Sequence, residues 1–152
     1  MQFSWNAVVR AVESKVEKAI FARFFEGEDL LEAVDSTAKH NGVNSGFFFL
    51  IGTLKKAVLG YYEKGKYLPI EKTGPFEIAS CTGNVSTKEK NELVVHAHIV
   101  VSDRNSNAFG GHVLPGCTID ATAELVLVRA EKGILRRKFD AERNLYLWSM
   151  QE

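Results

Sequence analysis

Apolar and polar residues change places in short runs along most of this chain, with one longer rhythm near its start. Leu30, Leu31, Val34 and Ala38 recur at helical spacing and form a single stripe. Asp29 stands where an N-cap belongs, and Glu28 suits the positive end of a helix dipole. Asn41-Gly42 then supplies residues that tolerate the left-handed backbone of a helix C-terminus. One principal helix is predicted over about 28–41. Residues 1–17 stay open: Val8, Val9, Val12 and Val16 have helical spacing, but so many valines also suit a strand. Lys18 to Phe25 predicts a strand ended by Glu26-Gly27. Further strands are predicted for Phe47 to Gly52, Ala57 to Tyr62, Phe76 to Cys81, Glu92 to Ser102, Thr118 to Val128 and Leu145 to Met150. Tyr67 to Glu71 reads as an edge strand, because Pro69 has no ladder donor. Turns are expected at Thr82-Gly83-Asn84, Ser86 to Asn91, Arg104 to Ala108 and Pro115-Gly116. The sum is an α+β chain, one compact domain over 1–152, with a mainly antiparallel sheet and few helices.

Composition narrows the class. The chain has 152 residues, 45% of them apolar, enough to bury a core. Nineteen basic residues balance nineteen acidic ones, so no overall positive field draws in a nucleic-acid backbone. Two cysteines, Cys81 and Cys117, are too few for a disulfide framework and read as small core residues of a reduced compartment. The N-terminus lacks a basic start followed by an apolar stretch, so no signal peptide is expected. The longest fully apolar run, Phe47 to Ile51, is far short of the ~20 residues that span a bilayer. A cytoplasmic protein with no membrane segment is the expectation.

The candidate chemistry is concentrated in Val94 to His112. The chain has four histidines, and three of them fall here. Alternation puts Val94, His96, His98 and Val100 on one face of a strand, and Val95, Ala97, Ile99 and Val101 on the other. His96 and His98 then stand roughly 7 Å apart and point the same way. The Asn- and Ser-rich stretch Arg104 to Ala108 lets the chain double back, and Gly110-Gly111 lets the next strand bring His112 close. Three imidazoles with an open fourth position describe a centre for zinc or another divalent transition metal; copper, iron and manganese stay open. The competing reading is two histidines on a solvated strand face, met by a third by coincidence. The spacing His96-x-His98, Asp103, Gly110 is also similar to the first cupin motif, with Asp for Glu, but the second cupin motif is absent.

A longer pattern runs through Glu26-Gly27-Glu28-Asp29-Leu30-Leu31, Ser45-Gly46, Ile51-Gly52-Thr53-Leu54, Gly74-Pro75-Phe76-Glu77-Ile78, His96-Ala97-His98, Gly110-Gly111-His112, Pro115-Gly116 and Glu124. In order and spacing it resembles the PPC (plants and prokaryotes conserved) domain family over about residues 20–148. The resemblance implies a fold related to acetolactate decarboxylase and a homotrimer. It also implies a zinc site whose ligands, carried over, are His96, His98 and His112. Prokaryotic members are described as DNA-binding by inference, and plant members add an AT-hook. This chain has no Arg-Gly-Arg-Pro, and Pro75 stands where plant members carry an arginine. Lys132, Arg136, Arg137 and Lys138 are the nearest basic cluster and read as a solvated strand end or turn.

Two carboxylates are candidates for proton transfer. Glu124 lies in the otherwise apolar Ala121 to Val128, where it would orient a metal-bound histidine, act as acid or base near metal-bound water, or pair with an arginine across a trimer interface. Glu77 faces away from Phe76 and Ile78, toward solvent or a pocket. Asp103 reads as a turn residue. Phe47-Phe48-Phe49 reads as core and subunit interface, not a base-stacking platform, because no basic residue interleaves it. Two functions follow. One is a homotrimeric metal-binding module with a small-molecule ligand and a DNA-associated or regulatory role. The other is a metal-dependent lyase or hydrolase acting on a small oxygen-rich molecule.

Overall fold

The helix forms where the apolar stripe falls. In a computed structural model that describes residues 11–149, α1 spans Leu30–His40. Asp29 caps it through Oδ1, which accepts from the amides of Leu31 at 3.0 Å and Glu32 at 3.1 Å. Its Oδ2 accepts from the Gly116 amide at 2.6 Å, so one carboxylate ties the start of the helix to a distant turn. Leu30, Val34 and Ala38 are buried, and Leu31 is half-buried at the rim. Gly42 takes a φ of 66°, and the Val43 amide turns back to donate to the Ala38 carbonyl at 2.8 Å. Val8, Val9 and Met150 lie outside the described residues, and Val16 already belongs to the first strand.

Six strands make the main sheet. They are β1 (Val16–Phe25), β2 (Gly46–Glu63), β3 (Lys66–Thr87), β4 (Leu93–Ser102), β5 (Ala108–Val113) and β6 (Thr118–Ala130). Their order is β1-β6-β2-β3-β4-β5, and every pairing in it is antiparallel. β5 also returns to β2, with Leu59 opposite Val113 and Gly60 opposite His112, so the sheet curls until its edge meets its own middle. The inner face packs against α1 and is filled by Phe48, Leu50 and Leu54 of β2, Ala97, Ile99 and Val101 of β4, and Leu125 and Leu127 of β6. A short hairpin, β7 (Arg137–Asp140) with β8 (Leu145–Trp148), forms a separate two-stranded sheet. Among the described residues no helix is long and apolar enough to cross a membrane.

Several expected breaks are continuous strand. Phe47 to Gly52 and Ala57 to Tyr62 belong to β2, which absorbs the polar interval with register shifts after Leu50 and Leu54. Tyr67 to Glu71 and Phe76 to Cys81 are one strand, β3, which runs on through the expected turn at Thr82-Gly83-Asn84. Gly83 is there for closeness: a Cβ on it would meet the Phe48 ring at 2.4 Å and the His96 carbonyl oxygen at 2.5 Å. Lys66 to Thr73 pairs with β2 alone, with Pro69 opposite Gly60, while pairing with β4 begins only at Glu77. That segment is an edge, as Pro69 requires. Arg137 departs from the solvated turn expected of the basic cluster: it opens β7 and is buried.

Cys81 and Cys117 are free and buried. Burial pushes the Cys81 thiol up to about 12. The Cys117 Sγ accepts from the Val58 amide at 3.2 Å and lies 3.3 Å from the Val58 carbonyl oxygen, to which it donates. The Asp29 carboxylate is the more testable of these buried polar devices. Replacing Asp29 by Ala is expected to lower the unfolding free energy by about 1–2 kcal/mol. Asp29→Asn, which keeps an acceptor oxygen, loses less. The shift in urea midpoint at unchanged slope checks this.

Candidate metal centre

Cross-strand partners in an antiparallel pair project to the same side of the sheet. One row can therefore be followed across all six strands. It runs from Phe21 to Val126, Phe49, Thr82, His98 and His112. The neighbouring row runs Ala19, Val128, Phe47, Asn84 and His96. Both lie on the outer face, because the alternate residues Ala97, Ile99 and Val101 fill the core. His98 and His112 are direct partners, and Gly110 makes that pairing tight: a Cβ on it would lie 2.2 Å from the Ile99 carbonyl oxygen.

The three imidazoles meet. One ring nitrogen from each of His96, His98 and His112 lies within 4.8 Å of the other two. Ring centroids are 5.2 Å apart for His96 and His98, 5.0 Å for His96 and His112, and 5.4 Å for His98 and His112. The His96 Nε2 and the His112 Nδ1 are buried with no hydrogen-bond partner. Buried polar atoms without partners are uncommon, and a bound ion is one standard explanation. Burial first, then the Arg137 guanidinium and the other two imidazoles, pulls His96 down to about 4. Burial, then His98 and Arg137, pulls His112 down to about 4 as well. Both rings are therefore neutral at ordinary pH, the form a metal requires. Among the described residues no carboxylate or thiolate joins the cluster, which leaves a fourth position for water or a ligand. The residues fit a divalent transition metal.

Two side chains at this centre escaped the sequence reading. Arg137 reaches under it from β7. Its Nε donates to Ser86 Oγ at 2.8 Å, Nη1 to the Tyr146 carbonyl at 2.8 Å, and Nη2 to Asn84 Oδ1 at 2.9 Å. The same Nη2 stands 3.3 Å from His96 Nδ1. A guanidinium can only donate, so in the ion-free ring Nδ1 accepts and the proton sits on Nε2, which is buried without a partner; an ion held at Nε2 would displace that proton. Tyr67 stacks on His112, with centroids 4.1 Å apart and planes at 10°. A cavity of about 210 Å³ opens beside His96 and His112, lined also by Tyr67, Arg137 and by Leu145 and Leu147 of β8. Nothing in Arg136-Arg137-Lys138 distinguishes the middle residue; only the pairing of β7 with β8 turns it inward. Tyr67 carries no signal either, since its place depends on β5 returning to β2.

The other candidates lie elsewhere. Glu124 is exposed on the outer face of β6, between Arg23 and Ile51, three strands from β4. Three strand spacings are roughly 14 Å. Glu77 is exposed near the far end of the β3–β4 ladder, opposite Ser102, and borders a small cavity with Asp103 and Arg104. Asp103 holds its own loop: Oδ1 accepts from the amides of Asn105 at 2.8 Å and Asn107 at 3.0 Å. It is the turn residue its position suggests, and it takes no part in a cupin-like set with the histidines.

Fold and centre together define a class: a curled antiparallel sheet with one helix, carrying a three-imidazole centre on its outer face. The chain belongs to the Plants and Prokaryotes Conserved (PCC) domain family, whose model matches residues 11–131. It is similar in structure to a plant- and prokaryote-conserved (PPC) protein of Pyrococcus horikoshii, with a TM-score of 0.84 and 30% identity over 93% of this chain and 98% of that one. A metal-containing protein of Archaeoglobus fulgidus is similar at a TM-score of 0.83 and 27% identity, over 93% and 99% of the two chains. A protein of Ralstonia eutropha JMP134, described as DNA-binding by conjecture, is similar at 0.76 and 25% over 86% and 90%. Of curated proteins, the bifunctional protein GlmU of a Synechococcus strain is 33% identical over 107 residues, which are 69% of this chain but only 16% of GlmU. The chain thus spans a small part of that relative's length.

The paired glycines of β5 differ in a way that tests the tight approach behind the centre. A Cβ on Gly111 would meet nothing closer than the Gly60 carbonyl oxygen at 3.4 Å. Gly110→Ala is expected to cost about 1–3 kcal/mol by forcing β5 off β4, whereas Gly111→Ala is close to neutral. Thermal melts of the two variants beside the parent decide it.

Proposed function

We propose that the protein is a divalent-metal-binding module that assembles as a homotrimer and holds a small ligand at His96, His98 and His112, in a regulatory role. The observation that carries this reading is the set of three converging imidazoles with two orphaned buried nitrogens and, among the described residues, no fourth protein ligand in the cluster. Zinc suits three neutral imidazoles with an open position best. The homotrimer follows from the family resemblance and is supported by the outer face itself. Phe21, Phe25, Phe49 and Ile51 are exposed there around Arg23 and Glu124, which sit side by side. A homotrimer is closed by heterologous contacts, so this apolar patch, with one basic and one acidic residue at its middle, would be buried against a different surface of the next copy. DNA association comes with the family description alone. A balanced net charge argues against backbone-driven binding.

A second reading is a metal-dependent lyase or hydrolase, favoured by the cavity beside His96 and His112. A bound ion would polarise a carbonyl or activate water there. Glu124 or Glu77 would serve proton transfer only from a neighbouring copy, given their distance within one chain.

Untagged protein is expected to carry one divalent ion per chain by elemental analysis, and the His96→Ala/His98→Ala double variant none. Sedimentation should give a trimer, and Phe49→Asp should shift it to monomer. A metal-free parent would end the metal reading. An unshifted Phe49→Asp would end the assignment of this face. Duplex DNA titrated at low salt checks the remaining association, which is dropped if no complex forms.

A further inference from the structure

The guanidinium of Arg137 is buried, yet its partners are a serine hydroxyl, an asparagine oxygen, a peptide carbonyl and an imidazole. Among the described residues none of its partners carries negative charge. A buried arginine is ordinarily paired with an acid. The four contacts occupy four of its five N–H groups, one on Nε, one on Nη1 and two on Nη2, which leaves one on Nη1 free.

The cavity beside it has two characters. Arg137, His96, His112 and Tyr67 give it a polar lining, Leu145 and Leu147 contribute apolar lining, and among the described residues no acidic one lines it. A positively charged group beside apolar side chains favours an organic anion over a neutral or cationic molecule. At about 210 Å³ the space is smaller than the ~300 Å³ at which drug-sized sites begin, so the ligand has only a few carbons.

We propose that this cavity is a subsite for a small carboxylic acid, with the carboxylate between Arg137 and the three-histidine centre and the alkyl chain against Leu145 and Leu147. The subsite deepens the metal-centre reading, since a divalent ion held by three neutral imidazoles would add to the same positive end. It does not depend on that reading, because Arg137 supplies charge without the ion. Arg137 also positions His96 through Nδ1, so it joins ligand and histidine in one network.

Isothermal titration of the full chain, metal-free and cobalt-loaded, with isobutyrate, isobutyramide and inorganic phosphate tests this. Isobutyrate should bind, and the neutral amide of the same shape should bind at least about tenfold more weakly. Arg137→Gln should lose about tenfold in isobutyrate affinity in the metal-free chain, where a change at His96 cannot act through an ion. Should Arg137→Gln fail to fold, Leu147→Trp, which fills the cavity from its apolar wall, should abolish isobutyrate binding and spare the cobalt. The idea is overturned if the amide binds as well as the acid, if phosphate binds tighter than isobutyrate, or if neither variant weakens the acid. Absence of cobalt uptake would sink the metal reading instead; isobutyrate binding to the metal-free chain then decides the subsite alone.

Discussion

The register of β4 between β3 and β5 is the constraint on which the rest depends. A one-residue slip would turn His96 and His98 into the core and push Ala97 and Ile99 into solvent. The inner face forbids that slip, because Ala97, Ile99 and Val101 are packed against Phe48 and the helix residues Val34 and Ala38 in one core. The glycines fix it further. Gly83 accepts the Phe48 ring beside the His96 carbonyl, and Gly110 lies on the Ile99 carbonyl. Both glycines let the neighbouring strands approach β4 more closely than a side chain would allow. The apolar core thus aims the imidazoles, although none of its members touches a ligand.

Legibility followed the range of the interactions. The helix was plain because its signals are local: a stripe, a cap and a glycine stop within fourteen residues of chain. His96 and His98 were plain because alternation on one strand needs no partner. The joins in β2 and β3 were not. A polar interval with glycine or proline reads as a turn, and only pairing with a neighbour carries the backbone through it as a bulge. Arg137 was hidden for a stronger reason. Three consecutive basic residues are chemically alike, and the one that is buried is decided by β7 pairing with β8, Arg137 opposite Trp148. Residues whose role arises from tertiary pairing leave no mark at their own position. Those whose role arises from period or capping do.

Electrostatics give the centre its bias. A metal-bound histidine commonly has a carboxylate or carbonyl behind it, which raises its basicity. Here His96 has a guanidinium behind it, 3.3 Å from Nδ1. That arrangement weakens His96 as a donor to a cation and strengthens the attraction of the whole site for an anion. A closed structural metal site would be poorly served by such a neighbour. The small carboxylic acid proposed above would bring the negative charge that the described residues do not place beside Arg137.

The same face carries both the centre and the exposed aromatics. The row from Phe21 through Phe49 to His98 and His112 is unbroken, so whatever covers Phe21 and Phe49 lies two to five strands from the histidines. Strand spacing sets that interval at roughly 10–24 Å. Glu124 has its place in this geometry: exposed beside Arg23, far from the histidines of its own chain, it is positioned to meet a neighbour. The two features share an origin in the chain, since the period-2 alternation that exposes Phe49 on β2 is the alternation that exposes His98 on β4, held in phase by β3 between them.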